Sequence, residues 1–330
     1  MLNRRHLTFG VSSLAVAAPF VARAQQPVQL RISTAANEQD WLAKALMRFK
    51  DGVERDLPGQ VNVAVHANAS LFRQGTEVPA LQRGNLEMST MTTFEVEQQI
   101  PEYGVLSAGY VIQDYDHLRK IMTGRIGQAY IADVAAKMGI QIVDTIYLGT
   151  RQISLRQARE VRTPADLAGV KLRMPPGPGW LALGKGLGVT PTSMGIPEVY
   201  LALKSGAIDG QENPVAITRA NNFHEVTQQM VMTSHLVQPV FFAVAKPVWE
   251  RFSPVQLEVL RRQARAAAAF NDTSRLAEEK ELVTFFQNVG LKITTPDLAP
   301  FRAAVARQYD ADGLAQKWQP GLLQKIAESR

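Results

Sequence analysis

The stretch Thr163-Pro164-Ala165-Asp166-Leu167-Ala168-Gly169-Val170-Lys171-Leu172-Arg173-Met174-Pro175-Pro176-Gly177-Pro178-Gly179 holds one unit of α/β construction. Thr163 is a helix N-cap, Pro164 suits the first helical position, and Asp166 closes a capping box three residues after the cap. Gly169 ends that short helix. Val170 to Arg173 then reads as a strand, and the Pro/Gly run 175–179 stops it. Arg173 therefore ends a strand where the chain turns irregular, which is where open α/β sheets form ligand crevices.

Downstream, Pro197 opens a helix with Val199 and Leu203 on one face, and Gly206 closes it. Ala207-Ile208-Asp209 reads as a short strand leading into Gly210-Gln211-Glu212-Asn213-Pro214. Val231 to Lys246 is β-rich. Ser253-Pro254 then starts a helical pattern through Leu257, Leu260, Ala264, Ala268, Leu276, Leu282 and Phe286 toward Gly290. As one helix it would be about 54 Å long at 1.5 Å per residue, enough to lie across two lobes. Two helices with a bend near Asn271-Asp272 are the alternative.

Upstream, Val28, Leu30 and Ile32 alternate with polar residues, as do Val61, Val63 and Val65, which is the period of a strand. Between them Trp41, Ala45, Leu46 and Phe49 share a helical face. Glu77 to Leu86 reads as a helix broken at Gly84, Leu86 to Thr92 as a strand, Tyr115 to Met138 as a helix and Ile140 to Leu148 as a buried strand. A second strand-like segment starts at Arg151. This order predicts an α/β fold with a mainly parallel sheet.

The chain has 330 residues, ample for two lobes. Its first residues carry a separate message: Arg4 and Arg5, an apolar run from Phe9 to Val21, then Ala22-Arg23-Ala24. This is the pattern of a secretory signal peptide cleaved after residue 24, and the run is shorter than the ~20 residues of a membrane span. The paired arginines also look like a twin-arginine export signal. Loss of Arg4, Arg5 and Arg23 would lower the net charge from +6 to +3 and leave no dense basic run, so nucleic acid is excluded as a partner.

The chain has no cysteine, which rules out disulfides, thiolate catalysis and cysteine metal sites. It has no H-E-x-x-H, G-x-S-x-G or Walker A motif, and the sequence is read as a binding protein without cofactor or metal. Gly184-Lys185-Gly186-Leu187-Gly188 lacks the spacing and the preceding strand of a phosphate-binding loop and is read as a turn. His66, His117, His224 and His235 have no metal-ligand spacing and are read as surface or satisfied core residues.

The candidate site is Arg151, Arg173 and Asn213. Each arginine offers a planar fork suited to a carboxylate. Asn213 precedes Pro214, which biases it to an extended conformation, and its side-chain amide suits a second carboxylate oxygen. Taken on spacing alone, ordinary surface ion pairs are the competing reading.

From Gly149 to Pro214 the chain resembles the solute-binding proteins of tripartite ATP-independent periplasmic (TRAP) transporters, the DctP family. The resemblance rests on Gly149-Thr150-Arg151-Gln152, on Pro164 to Arg173, on Glu198-Val199-Tyr200-Leu201-Ala202-Leu203-Lys204-Ser205-Gly206 and on Asp209 to Pro214. Phe223-His224-Glu225-Val226 and Thr233-Ser234-His235 continue it. It implies two α/β lobes with a hinge and one long helix across both: residues 25–148 with 239–278, and 149–238 with 279–330. It also implies a monomer in the periplasm that captures a small organic acid for a membrane permease.

By the same resemblance Arg173 would be the main carboxylate anchor, Arg151 a second pocket arginine, Asn213 the pocket amide and His235 a neighbour of the ligand. Thr92, Arg73, Phe94, Trp180 and Ile196 complete the candidate lining. Sialic-acid-binding members carry acidic residues where this chain has Arg73, and a glutamate near the position of Thr92. Those departures, with Pro176 to Trp180 replacing a polar stretch, point to a smaller or more aromatic acid touching Trp180 or Phe94. A periplasmic lyase and a ligand-sensing periplasmic protein are the rival functions.

Overall fold

The computed structural model describes residues 26–329, so the predicted export signal lies outside the described residues. Among the described residues no helix is long and apolar enough to cross a membrane. The strands are β1 (Val28–Ser33), β2 (Val61–His66), β3 (Met88–Thr92), β4 (Ile140–Leu155), β5 (Lys171–Met174), β6 (Thr190–Ser193), β7 (Gly210–Pro214), β8 (Gln229–Ala245) and β9 (Lys292–Thr294). They form one sheet in the order β2-β1-β3-β8-β4-β7-β5-β6, with β9 added on β8.

The helices are α1 (Trp41–Asp56), α2 (Glu77–Gln82), α3 (Thr93–Glu97), α4 (Tyr115–Thr123), α5 (Arg125–Lys137) and α6 (Pro178–Gly186). They continue with α7 (Val199–Ser205), α8 (Val215–Ala220), α9 (Lys246–Trp249), α10 (Pro254–Asn288), α11 (Ala299–Ala311) and α12 (Leu322–Glu328).

The sheet is mixed rather than mainly parallel. β1 runs parallel to β2 and β3, and β5 runs parallel to β6 and β7. The centre is antiparallel, because β8 opposes both β3 and β4, and β4 opposes β7. Alternating side chains report a strand but not its direction, which is why the sequence pattern missed this.

β4 and β8 are the longest strands and run from one half of the molecule into the other. Ile140 to Tyr147 of β4 pairs with Ala245 to Pro239 of β8, beside β3. Farther on, Arg151 to Leu155 of β4 pairs with β7. The register shifts between Tyr147 and Gly149, and Gly149 has φ +126°. A Cβ there would lie 2.5 Å from Pro214 Cβ and 2.9 Å from Glu279 Oε1, so only glycine fits. The two strand segments read on either side of Gly149 are therefore one strand with a bend.

α10 is a single helix of 35 residues, without the bend near Asn271. Ser253 caps it in a box with Gln256. Its first half packs Ala264, Ala267 and Ala268 against Leu46 and Phe49 of α1 and the β1 core. Its second half packs Leu282 and Phe286 against Val215, Ala216 and Met230. Burial of a Leu or Phe in such a contact stabilises by about 1.5–3 kcal/mol. Between these ends Asn271 Nδ2 donates to Tyr147 O (2.8 Å), Asp272 accepts from Tyr147 N (2.9 Å), and Tyr147 hydroxyl donates to Glu279. The helix is thus fastened to β4 at its bend.

Two other expectations shift. The Tyr115–Met138 helix breaks at Gly124 into α4 and α5, and the turn brings Gly127 so close to Met122 that a Cβ would lie 2.0 Å from its carbonyl oxygen. Ala207 to Asp209 is not a strand. Ala207 N closes the end of α7 on Ala202 O behind left-handed Gly206, and β7 starts at Gly210. At the carboxyl terminus α12 returns to the first half, where Leu322 and Ile326 pack with Leu118 and Tyr130.

Candidate functional site

β5 and β7 are parallel neighbours, with Arg173 level with Gln211, and β4 lies antiparallel to β7 with Arg151 opposite Pro214. This register brings Arg173, Arg151 and Asn213 to one end of the sheet. Pro175 and Pro176 follow directly, and Gly177 at φ +137° turns the chain into α6. The result is one wall of a cleft. Its other wall comes from the loop before α2, from β3 and from α3. The space between the walls is about 770 Å³, open solvent at the mouth included.

Arg151 is fully engaged within the protein. Its Nε and Nη2 donate to the two carboxylate oxygens of Glu212, Nη2 also to Glu212 O (2.6 Å) and to Asn213 Oδ1 (3.0 Å), and Nη1 to Gln238 Oε1 (2.6 Å). Both members of the pair are buried. Burial works to raise Glu212, but Arg151 and His235 outweigh it and hold the carboxyl below its usual range. Burial pushes His235 down, so its ring is neutral. The Glu212 carboxylate only accepts, so His235 Nε2 carries the proton toward it (3.0 Å), and Nδ1 accepts from the Thr233 hydroxyl (2.8 Å).

Arg173 differs in kind. It is 1% exposed, and its bonds go to neutral oxygens: Nε to Met194 O (2.9 Å) and Nη2 to Gln74 Oε1 (3.0 Å). Among the described residues the buried ion pairs are Arg151–Glu212, His235–Glu212 and Arg275–Asp40, so Arg173 belongs to none. Burial pulls its guanidinium down to about 9 against the attraction of the Glu212 carboxylate, with Arg151 adding to the fall, and it remains charged at neutral pH. A buried cation without a counter-charge is costly unless an anion completes it. Arg173 lines the cleft, and among the described residues nothing accepts a hydrogen bond from its Nη1.

The facing wall is acidic. Glu77 lines the cleft, accepts from Gly75 N (2.7 Å), and is pushed up to about 7 by burial. Glu95, also raised by burial, caps α3 in a box with Thr92. The cleft is therefore polarised, with a guanidinium on one side and weakly acidic carboxyls on the other. Such a space suits a molecule with a carboxylate at one end and hydrogen-bond donors at the other.

Of the residues singled out in the sequence, Arg173, Arg151, Asn213, Thr92, Trp180 and Ile196 line the cleft together. Thr92 does so with its hydroxyl donated to Glu95. Phe94, Arg73 and His235 do not line it. Phe94 stacks on Trp180 behind the wall, with ring centroids 3.7 Å apart. Arg73 is exposed at the mouth, paired with Glu198 (3.1 Å). His235 lies behind Arg151, against Glu212. Trp180 is covered by Phe94 and by the Arg151 guanidinium 4.7 Å from its centroid, so its ring faces are taken and the expectation of an aromatic ligand gains no support. Sequence reading missed Glu212, Gln74, Glu77 and Gln238. A glutamate inside the strand Gly210–Pro214, level with an arginine-bearing strand, was the available signal for Glu212.

Two lobes joined by crossing strands and a long helix, closing on a polar cleft, define a binding protein of the periplasmic type. Residues 32–314 match the bacterial extracellular solute-binding proteins, family 7 (DctP), and the chain belongs to that family. It is 29% identical over 303 residues to the sialic acid-binding periplasmic protein SiaP of Vibrio cholerae, covering 92% of each. It resembles a TRAP periplasmic solute-binding protein of Roseobacter denitrificans solved with 3-deoxy-D-manno-oct-2-ulosonic acid. That match has a TM-score of 0.88 and 39% identity, and covers 92% of this chain and 100% of the other. A second protein of that organism, with L-galactonate bound, gives a TM-score of 0.84 at 26% identity, covering 91% and 99%.

Proposed function

We propose that this protein captures a small polyhydroxylated organic acid in its interlobe cleft, Arg173 holding the carboxylate, and delivers it to a TRAP-type permease. The observation that carries this is Arg173, buried at the carboxyl end of β5 and outside every buried ion pair among the described residues. The acidic wall supports the hydroxylated tail, since Glu77 and Glu95 offer acceptors to hydroxyl groups. Sugar acids bound to the relatives support the same class. Arg151, Glu212 and His235 are bonded to one another, so a lyase would have to move its substrate proton through Glu77, and turnover of a bound acid that is lost in Glu77→Gln would favour that rival.

In this reading residues 1–24 are removed on export and the mature chain works as a monomer in the periplasm. One lobe comprises residues up to 148 with 239–278, joined by α12, and the other comprises 149–238 with the rest of the carboxyl-terminal region. The bend at Gly149 is the natural hinge. The test is thermal unfolding against sugar acids, dicarboxylates, keto acids, aromatic acids and sialic acid. A ligand at 100 times its Kd adds about 2.7 kcal/mol of stability. A shift with a sugar acid supports the proposal; a shift confined to aromatic acids or to uncharged sugars contradicts it.

A further inference from the structure

Gln74 belongs to the loop before α2, in the first lobe, yet among the described residues its side-chain bonds go to the second. Its Oε1 accepts from Arg173 Nη2 at 3.0 Å and from Ile196 N at 2.9 Å. Both partners are N–H donors, which fixes the orientation of the amide. Neighbouring residues also meet across the cleft, but differently. The Arg73–Glu198 pair is largely exposed on both sides and contributes little. Gly75 approaches Pro176 so closely that a Cβ would lie 3.2 Å from Pro176 Cβ, and Phe94 stacks on Trp180. Those contacts help hold the lobes together, and Gln74 alone among them bonds to Arg173.

We propose that Gln74 is a positioning residue that couples closure of the lobes to the orientation of Arg173. This rests on the reading of Arg173 as the anchor. From its own lobe Met194 O holds the guanidinium at Nε (2.9 Å), and among the described residues that lobe gives no acceptor to the terminal nitrogens. The Gln74 bond fixes a second edge, and it forms only when the first lobe reaches the second. The amide oxygen is neutral, so it aligns the guanidinium without cancelling its charge for an incoming anion. A carboxylate at position 74 would instead give Arg173 a built-in counter-ion. It would favour closure and compete with the bound acid.

The test uses the protein with Gln74→Met, Gln74→Glu and, as control, Arg173→Met. Affinity and release rate are measured for 3-deoxy-D-manno-oct-2-ulosonate, L-galactonate and D-erythronate. The interlobe distance without added acid is measured between spin labels at exposed Arg83 and Lys204, which the cysteine-free chain allows to be placed uniquely. Gln74→Met is expected to weaken binding about tenfold, mainly through faster release, and Gln74→Glu about a hundredfold. Gln74→Glu should also shorten the mean interlobe distance, which a merely structural role would not do. Binding within about twofold of the parent in both Gln74 variants, or an unchanged distance in Gln74→Glu, overturns the inference. If Arg173→Met alone abolishes binding, the anchor stands and only the role of Gln74 falls. If Arg173→Met binds like the parent, the anchor itself falls.

Discussion

Replacing Arg173 by methionine should separate binding from stability. In the bound state the acid's carboxylate would lose its buried partner, a change that costs about 3–5 kcal/mol. That is a hundred- to a few thousandfold in Kd, at about 1.4 kcal/mol per tenfold. Without ligand the ledger differs. Arg173 belongs to no ion pair, and its two bonds to Met194 O and Gln74 Oε1, made by a charged donor, are each worth about 1.5–3 kcal/mol, comparable to the several kcal/mol that burying the charge costs. Methionine gives up those bonds but also removes a buried charge, and it fills much of the same volume. The midpoint of thermal unfolding should therefore hold or rise, moving by no more than about 3 °C. Titration calorimetry and unfolding of the same two samples measure both quantities. Affinity within about threefold of the parent would refute the anchor. A large loss of ligand-free stability would refute the claim that the guanidinium is electrostatically unpaired.

Glu212→Gln should behave in the opposite way, leaving Arg151 buried with its charge uncompensated. A loss of about 3–5 kcal/mol of stability in denaturant unfolding is expected even without ligand. Gly149→Ala should lower the unfolding midpoint, because the new methyl would meet Pro214 and Glu279, and a midpoint equal to the parent's would remove Gly149 as a required bend. Stability should also depend on pH with a definite sign. Burial holds Glu77 at about 7 and Glu97 at about 8, above the 4.5 of a free glutamate, so the contribution of both is complete below pH 4.5 and is lost as pH rises through 7 and 8. Glu212 is depressed, so its contribution is present above 4.5 and lost below it. Denaturant unfolding across pH should therefore peak in the mildly acidic range, and Glu77→Gln with Glu97→Gln should flatten the alkaline side.

The features legible in the sequence are those written locally. The capping box at Thr163 forms as read, because cap, proline and acidic partner lie within four residues, and Ser253-Pro254 starts a helix as read. Arg173 could be placed at a strand end because the Pro/Gly run beside it stops the strand. The antiparallel centre was hidden, since β3, β4 and β8 meet through partners far apart in the chain. Ile140 to Leu148 and the segment from Arg151 read as two strands, but they are one, because Gly149 bends the chain without ending the pairing. The polar site was legible by type but not by pairing. Arg151 and Arg173 look alike in sequence, and only the register of β4 against β7 gives Glu212 to Arg151 and leaves Arg173 without a counter-charge.

A crystal structure with the tightest-binding sugar acid is the most direct test of that distinction. The account predicts the carboxylate within hydrogen-bonding distance of Arg173, with Arg151 still paired to Glu212 and the hydroxylated tail toward Glu77 and Glu95. A carboxylate held by Arg151 with Glu212 displaced, or an acid bound outside the cleft, would contradict it.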